Sequence, residues 1–370
     1  MRVIVVGAGV VGTMHAWQAV ERGHEVVQIE RETEARGASV RNFGQIWISG
    51  RAGGEELETA LRARELWEGL GGRLPGLGFR AIGSLTPVRT DPELAVAEAA
   101  AARPDAAARG FRLVTADDAR AMNPALRGDF RAALWCERDA AVEPRTAQRV
   151  LRDALRASGR YTFLPGREVR DLVGPNGVRD DHGDVHTGDA VVLCTGAWLG
   201  GLVREAAGEV PVRRVRLQMM QTDPLGEPLT TSVADADSFR YYPAYDSAAL
   251  EAGQPQPRVA AAHRMQLLMV QRLDGGLTIG DTHEYEHPFA FDTVEDPYEH
   301  LTRVVESLLG RPLPPVRRRW AGVYAQCTDT GRVVHRQRVR DGVWLVTGPG
   351  GRGMTCSPAI AETTANELGW

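Results

Sequence analysis

The chain opens with an apolar run that leads straight into a glycine turn: Arg2-Val-Ile-Val-Val-Gly7-Ala-Gly9-Val-Val-Gly12. A helical pattern follows, then a second apolar strand, Val26-Val-Gln-Ile-Glu30, which ends on an acid. Strand, turn, helix and strand together constrain the fold far more than a glycine pattern alone. Gly7 permits the tight turn, Gly9 lets backbone N–H groups approach a pyrophosphate, and Gly12 lets the helix pack close to the strand. Val10 and Val11 open the helix, whose N-terminus offers donors and a partial positive charge to phosphates. Glu30 lies a little under twenty residues beyond Gly12. It can accept from both ribose hydroxyls of an adenosine half and would repel a 2′-phosphate, which disfavours NADP. A bare pattern of this kind is usually a flexible loop; both strands and the acid in register make it a dinucleotide site.

At 370 residues the chain can form one large domain or two intertwined ones. Its formal net charge of −4 and the lack of a basic run argue against a nucleic-acid partner. No apolar run approaches the ~20 residues of a membrane span. Met1 stands one residue before the first strand, so no signal peptide is expected, and the expected location is cytoplasmic. Cys136, Cys194, Cys327 and Cys356 are scattered without metal-like spacing and read as four reduced thiols; no metal is expected. The chain contains no lysine at all. That excludes a lysine Schiff base, a P-loop lysine and a lysine general base.

Beyond the opening unit, a loop from Arg36 to Gly54 leads into a helix with Leu57, Ala60, Leu61, Trp67 and Leu70 on one face. An Ala-rich helix is expected from Pro92 to Gly110, broken near Pro104, and Thr115 caps a short helix that stops before Pro124. Pro144 begins another helix. Short strands follow, with a hairpin-like piece around Asn176-Gly177. A second glycine landmark is Ala190-Val-Val-Leu-Cys-Thr195-Gly196-Ala197-Trp198. From Val212 to about Gly280 the pattern becomes antiparallel strand, and the end reverts to Val343-Trp-Leu-Val-Thr347, the turn Gly348–Thr355 and a last helix. The fold class is therefore α/β. A Rossmann-like dinucleotide domain is expected from residues 1–80, 140–210 and 316–370. An inserted α+β substrate domain with a mostly antiparallel sheet is expected from 81–139 and 211–315.

These landmarks, in this order, resemble the D-amino-acid-oxidase-like flavoproteins, which include glycine oxidase and sarcosine oxidase. The resemblance spans the whole chain. It rests on the opening fingerprint, Glu143-Pro144 before a helix, residues 192–198, Arg272-Leu-Asp-Gly-Gly-Leu-Thr-Ile-Gly280, Trp320-Ala-Gly-Val-Tyr with Asp329 beyond, and the closing turn. It implies FAD as cofactor. Gly7, Gly9, Val10, Val11, Gly12, Glu30 and Arg31 would take its adenosine and pyrophosphate end. The resemblance places Ser39, Arg41, Asn42, Gly44, Gln45, Val169, Thr195, Gly196 and Trp198 along it as well. The turn residues Gly348, Gly350, Gly351, Arg352, Gly353, Met354 and Thr355 would face the flavin, with a helix dipole that stabilises negative charge on the ring. Within the family, Ala35–Arg51 looks like a bacterial branch associated with catabolism of aminophosphonates such as 2-aminoethylphosphonate and its N-methylated relatives.

Three departures bear on mechanism. Glycine oxidase carries an Arg after the Trp-Ala-Gly run that grips the substrate carboxylate; here that position is Tyr324, so a small amino acid would lose its bidentate anchor. Sarcosine oxidase ties its flavin to a cysteine whose counterpart falls near Gly322, and Cys327 lies too close to Asp329 to match, so non-covalent FAD is expected. Sarcosine oxidase also promotes reaction with oxygen through a lysine, which this chain lacks; an Arg or His substitutes, or another electron acceptor takes the place of oxygen.

Candidate anion grips are Arg51, Arg240, Arg272 and Arg352, although any one arginine picked this way is as readily a solvated surface residue. His263 and His283 are candidates on the same terms. Gln45, Tyr242, Tyr324, Arg352 and His263 form the candidate catalytic set. The implied activity is oxidation of the C–N bond of a small amine substrate, by hydride transfer, to an imine that water hydrolyses, with hydrogen peroxide released where oxygen is the acceptor. The alternatives are oxidation of another secondary amine or amino acid and, from a different class, an NAD-dependent dehydrogenase or a nucleotide-binding regulator.

Overall fold

Val3, Ile4 and Val5 have no solvent exposure, because the strand Arg2–Val6 lies in the middle of a six-stranded sheet in the computed structural model, which describes residues 1–285 and 287–370. On one side Arg2–Val6 pairs in parallel with Glu25–Glu30 and, beyond it, Tyr161–Pro165. On the other it pairs with Ala190–Leu193 and then Val343–Thr347, also parallel, before the antiparallel edge strand His335–Arg340. Both faces of the central strands are covered, so they read as continuous apolar runs rather than alternations. The helices Val10–Glu21 and Gly353–Glu367 pack against each other on one face, and Glu55–Arg73 packs on the second of them.

The second layer is an eight-stranded sheet. Its order is Val316–Cys327, Val212–Pro224, Gly276–Gly280, Leu268–Gln271, Ser232–Ala234, Ser84–Val88, Ala132–Cys136 and Phe111–Thr115. All its pairings are antiparallel except Ser232–Ala234 with Ser84–Val88. The long partners Val212–Pro224 and Val316–Cys327 run together over their whole length. Val316–Cys327 is thus part of the large sheet, and the chain returns to the dinucleotide sheet only at His335, not at 316 as the sequence pattern suggested.

Local signals are obeyed where backbone chemistry sets them. Thr115 accepts from the Asp118 N–H and starts Ala116–Met122, and the Ala-rich stretch breaks into Asp91–Ala101 and Ala106–Arg109 around Pro104. Between Ala234 and Leu268, where strand was expected, three short helices intervene: Ser238–Tyr241, Ala248–Gly253 and Arg258–Ala262. No helix of the described residues is long and apolar enough to cross a membrane, and among those residues no cluster of His, Cys, Asp or Glu could hold a metal ion.

Candidate active site

The two sheets meet around one cavity of about 1220 Å³. Its first end is made of main chain. Gly7 sits at φ +100°, a region closed to side chains, and a Cβ there would lie 2.3 Å from the Cys194 carbonyl oxygen. A Cβ on Gly12 would lie 2.1 Å from the Gly7 carbonyl oxygen, so Gly12 closes the helix onto the turn itself. Gly12 does not reach the cavity wall; Gly7, Gly9, Val10 and Val11 do. The Glu30 carboxylate accepts from the backbone N–H of Ala8 at 2.7 Å and of Glu32 at 3.1 Å, which fixes it at the cavity edge beside the helix N-terminus. Ser39 Oγ accepts from Val10 N–H at 2.8 Å and folds the 38–40 turn over that terminus. Arg31 lies 4.2 Å over the ring of Trp198, which is half exposed at the rim. Val169, Thr195 and Gly196 complete this end.

The middle of the wall is the irregular segment 42–51. Backbone without secondary structure in the interior needs other partners for its polar groups, and buried side chains supply them. Asp139 accepts from the N–H groups of Ile48 and Ser49 and from the hydroxyls of Ser49 and Ser84. Arg109, with no exposure, donates to the carbonyls of Ile48 and Ser49. Thr355 Oγ1 accepts from Trp47 N–H at 2.9 Å. Arg272 donates to the carbonyls of Asn42 and Phe43 and to Thr278; it does not line the cavity, and burial lowers its pKa to about 10. Its expected role as an anion grip is therefore replaced by a scaffolding one. Asn42 is similarly turned inward, donating to Ala38 O and accepting from Gly44 N–H, although it still borders the cavity. Gly44 lies behind the wall, at φ +71°, where a Cβ would strike the Val142 carbonyl oxygen at 2.2 Å.

Within this pinned segment Gln45 is 5% exposed, and neither end of its amide has a hydrogen-bond partner. Thr195 Oγ1 is likewise buried and unpartnered. Such groups are rare in a finished core, and both face the cavity.

The closing turn contributes Pro349 to Thr355 to the wall; Gly348 stands behind it, packed on Cys327. Arg352 is buried, but its guanidinium is fully engaged: with Glu56 at 2.8 Å, Thr330 O at 3.1 Å and Arg332 O at 2.8 Å. It clamps the turn and offers no free fork to a substrate, which corrects the expectation of an anion grip. Arg240 is also held, by Asp237 and by the Gln254 carbonyl. Arg51 donates to Trp47 O, lies 3.5 Å from Glu56 and packs on the Tyr242 ring, while still lining the cavity.

The far end of the cavity is made of side chains from the large sheet. Tyr324 and Tyr242 are both there, buried, with burial raising their phenol pKa values. His263 is not: it follows the helix Arg258–Ala262, outside the cavity lining, and its carbonyl accepts from His283 N–H. The histidine on the wall is His283. Its ring stacks on Tyr241 at 4.2 Å, and burial lowers its pKa to about 4. Sequence reasoning passed over Trp47, Tyr241, Tyr285, Gln266 and Asp281, all of which line this end. Only Tyr241, beside the named Tyr242, carried a usable signal. Arg41, Arg213 and Arg214 edge the same region.

The residues present fit a bound FAD: a glycine cradle under a helix terminus, an anchored acid for ribose, and two buried polar side chains without partners. The comparisons agree. The FAD dependent oxidoreductase family (DAO) matches residues 2–367, and the chain belongs to that family. Glycine oxidase of Pseudomonas aeruginosa is 26% identical over 383 residues, covering 99% of this chain and 94% of the relative. Among solved structures, glycine oxidase from Bacillus cereus superposes with a TM-score of 0.79 at 18% identity, covering 100% of this chain and 94% of the other. L-Proline dehydrogenase from P. horikoshii gives 0.79 at 22% identity, covering 99% and 92%. The protein is an FAD-dependent oxidoreductase. Gly322 borders the cavity without a side chain and Cys327 does not line it, while Cys194 does.

Proposed function

We propose that the substrate is a small aminophosphonate, 2-aminoethylphosphonate or an N-methylated form, oxidised at its C–N bond to an imine and then an aldehyde. The observation that carries this reading is the pairing of Tyr324 with displaced positive charge. The sheet position facing the cavity is a phenol, while Arg213 and Arg214 stand further along the partner strand at its margin. Arg214 Nε is buried with no partner, and its guanidinium packs 5.3 Å from the Phe289 ring centroid. An anion bound there would sit away from the Tyr324 position, along the strand margin, and suits a larger, doubly charged group.

When bound, FAD supplies a two-electron acceptor. The protein's own contribution is position and dryness: Trp47, Tyr242, Leu217 and Met219 line the apolar part of the chamber and exclude water around the amine. Gln45 and Thr355 sit where the 42–51 segment meets the last helix, and would hold the flavin edge. A second reading, oxidation of an amino carboxylate, is favoured by the full-length similarity to glycine oxidase. A substrate panel under anaerobic conditions separates them. Bleaching of the flavin band by 2-aminoethylphosphonate or its N-methyl form, and not by glycine or sarcosine, is the expected result. Bleaching by glycine alone would move the assignment to amino acids.

A further inference from the structure

The carboxyl of Asp281 lies on the cavity wall and is 4% exposed. It follows the strand Gly276–Gly280, and two backbone hydrogen bonds clip it to Gln266: Asp281 N–H to Gln266 O at 2.9 Å, and Gln266 N–H to Asp281 O at 3.3 Å. The Gln266 amide nitrogen then donates to Tyr242 Oη at 3.1 Å and to Asp281 Oδ1 at 3.4 Å. Gln266 Oε1 is buried and has no donor. Among the described residues that single long bond is the only side-chain hydrogen bond to the Asp281 carboxyl. Next to it, His283 Nδ1 is 3.0 Å from the Arg264 carbonyl, which can only accept; Nδ1 therefore carries the hydrogen and Nε2 presents a lone pair. Beside the weakly held Asp281 carboxyl, the buried Gln266 Oε1 is thus an acceptor without a partner, and such an acceptor on a dry wall is costly unless a ligand supplies an N–H group.

We propose that Asp281, with Gln266 Oε1 beside it, binds the amino group of the substrate and takes the proton that an ammonium must lose before its C–H bond can be oxidised. The inference rests on the amine reading of the site but not on the phosphonate. In the step itself an N–H bond of the ammonium breaks, an O–H bond forms on Asp281, and the nitrogen keeps the electron pair that then supports loss of hydride from the adjacent carbon.

The surroundings suit that role. Burial raises the Asp281 pKa to about 8, and an ammonium beside it favours the ionised form: the carboxyl gives its own proton to solvent as the ammonium binds and then takes the ammonium's N–H proton. The groups that face it are Tyr241 and Tyr242 from the short helix, Tyr324 from the sheet, Tyr285 and His283 from its own segment, and Arg51 through the Tyr242 ring. The four phenols keep their protons at neutral pH, and His283, lowered by burial to about 4, is a weaker base than Asp281, which leaves Asp281 as the proton acceptor of that patch.

The test compares flavin-loaded wild type with D281N, using amines and their hydroxy isosteres: 2-aminoethylphosphonate against 2-hydroxyethylphosphonate, glycine against glycolate, and propylamine against 1-propanol. Half-saturation is read from the flavin spectrum, whether the band shifts or bleaches. In wild type at least one amine should bind at least about tenfold more tightly than its isostere, and D281N should lose that margin. D281N should leave isostere binding within about twofold of wild type, which reports an intact chamber. A rise in bleaching rate with pH through an inflection near the Asp281 pKa should disappear in the variant. Equal half-saturation for amine and isostere in every wild-type pair, or an unchanged margin in D281N, overturns the assignment. Discrimination without bleaching would sink the oxidation reading and leave Asp281 as the amine site. Bleaching with identical half-saturation in both proteins would do the reverse.

Discussion

The two ends of the cavity are built from different materials. The end proposed for the cofactor is main chain: a turn that only glycine can make at Gly7, a helix closed onto it at Gly12, and an acid and a serine that fasten backbone N–H groups. Its polar atoms are mostly satisfied before any ligand arrives. The end proposed for the substrate is side chain, drawn from segments as distant as Trp47, Tyr242, Gln266, Asp281 and Tyr324, with several polar atoms left open. On that proposal a backbone cradle would recognise what every flavin shares, and open side chains what differs between substrates.

That contrast can be tested where it is sharpest. Arg352 belongs to the substrate side by sequence position but to the scaffold by geometry. Arg352→Ala should cost about 3 to 5 kcal/mol of stability, because Glu56 would be left buried without its closest partner. The check is a denaturant melt of R352A and of R352A/E56Q; the double variant should recover part of the loss. A stable R352A with selectively weakened substrate binding would return Arg352 to the site.

The second comparison sets two buried histidines against each other. His15, in the helix behind the cradle, and His283, on the substrate wall, are both lowered to about 4 from 6.5, chiefly by burial. Each binds protons more readily in the unfolded chain. Stability is therefore fully present above pH 6.5 and is lost as pH falls towards 4, by roughly 3 kcal/mol per residue at most. His15→Gln and His283→Gln should each flatten that acid limb in pH-dependent melts. Only the His283 variant should also change how much a bound amine protects the protein. Equal ligand protection in both variants would erase the distinction between the ends.

The smallest of these effects concerns the cradle alone. Gly9 is an N-cap with open space except for Ser39 Oγ, 3.0 Å from where a Cβ would stand. Gly9→Val should fold with nearly unchanged melting but bind FAD ~10–100-fold more weakly, since the overpacking falls where the pyrophosphate approaches. Flavin content after purification measures it, and a variant that purifies yellow would displace the pyrophosphate assignment.

How much was legible beforehand follows the same division. Gly7, Gly9, Gly12 and Glu30 announced the cradle because short-range backbone geometry permits few residues there. The closing turn was legible for the same reason. Gln45 was found through its segment and proved to be the open amide of the wall. Arg272, Arg352 and His263 misled because an arginine or histidine in a sequence carries no information about what its head group meets. Asp281 and Gln266 gave no signal at all: each is an ordinary residue at a strand end, made chemical only by the other and by Tyr242.

The chain's sequence alone therefore determined the dinucleotide unit, the α/β class and the absence of any lysine chemistry, since these depend on local backbone preference and on composition. Tertiary structure decided which polar groups are spent on scaffolding and which remain open. That depends on burial and on partners hundreds of residues away, such as Arg352 with Glu56, or Trp47 with Thr355. Low dielectric and excluded water then decide what the open groups can do.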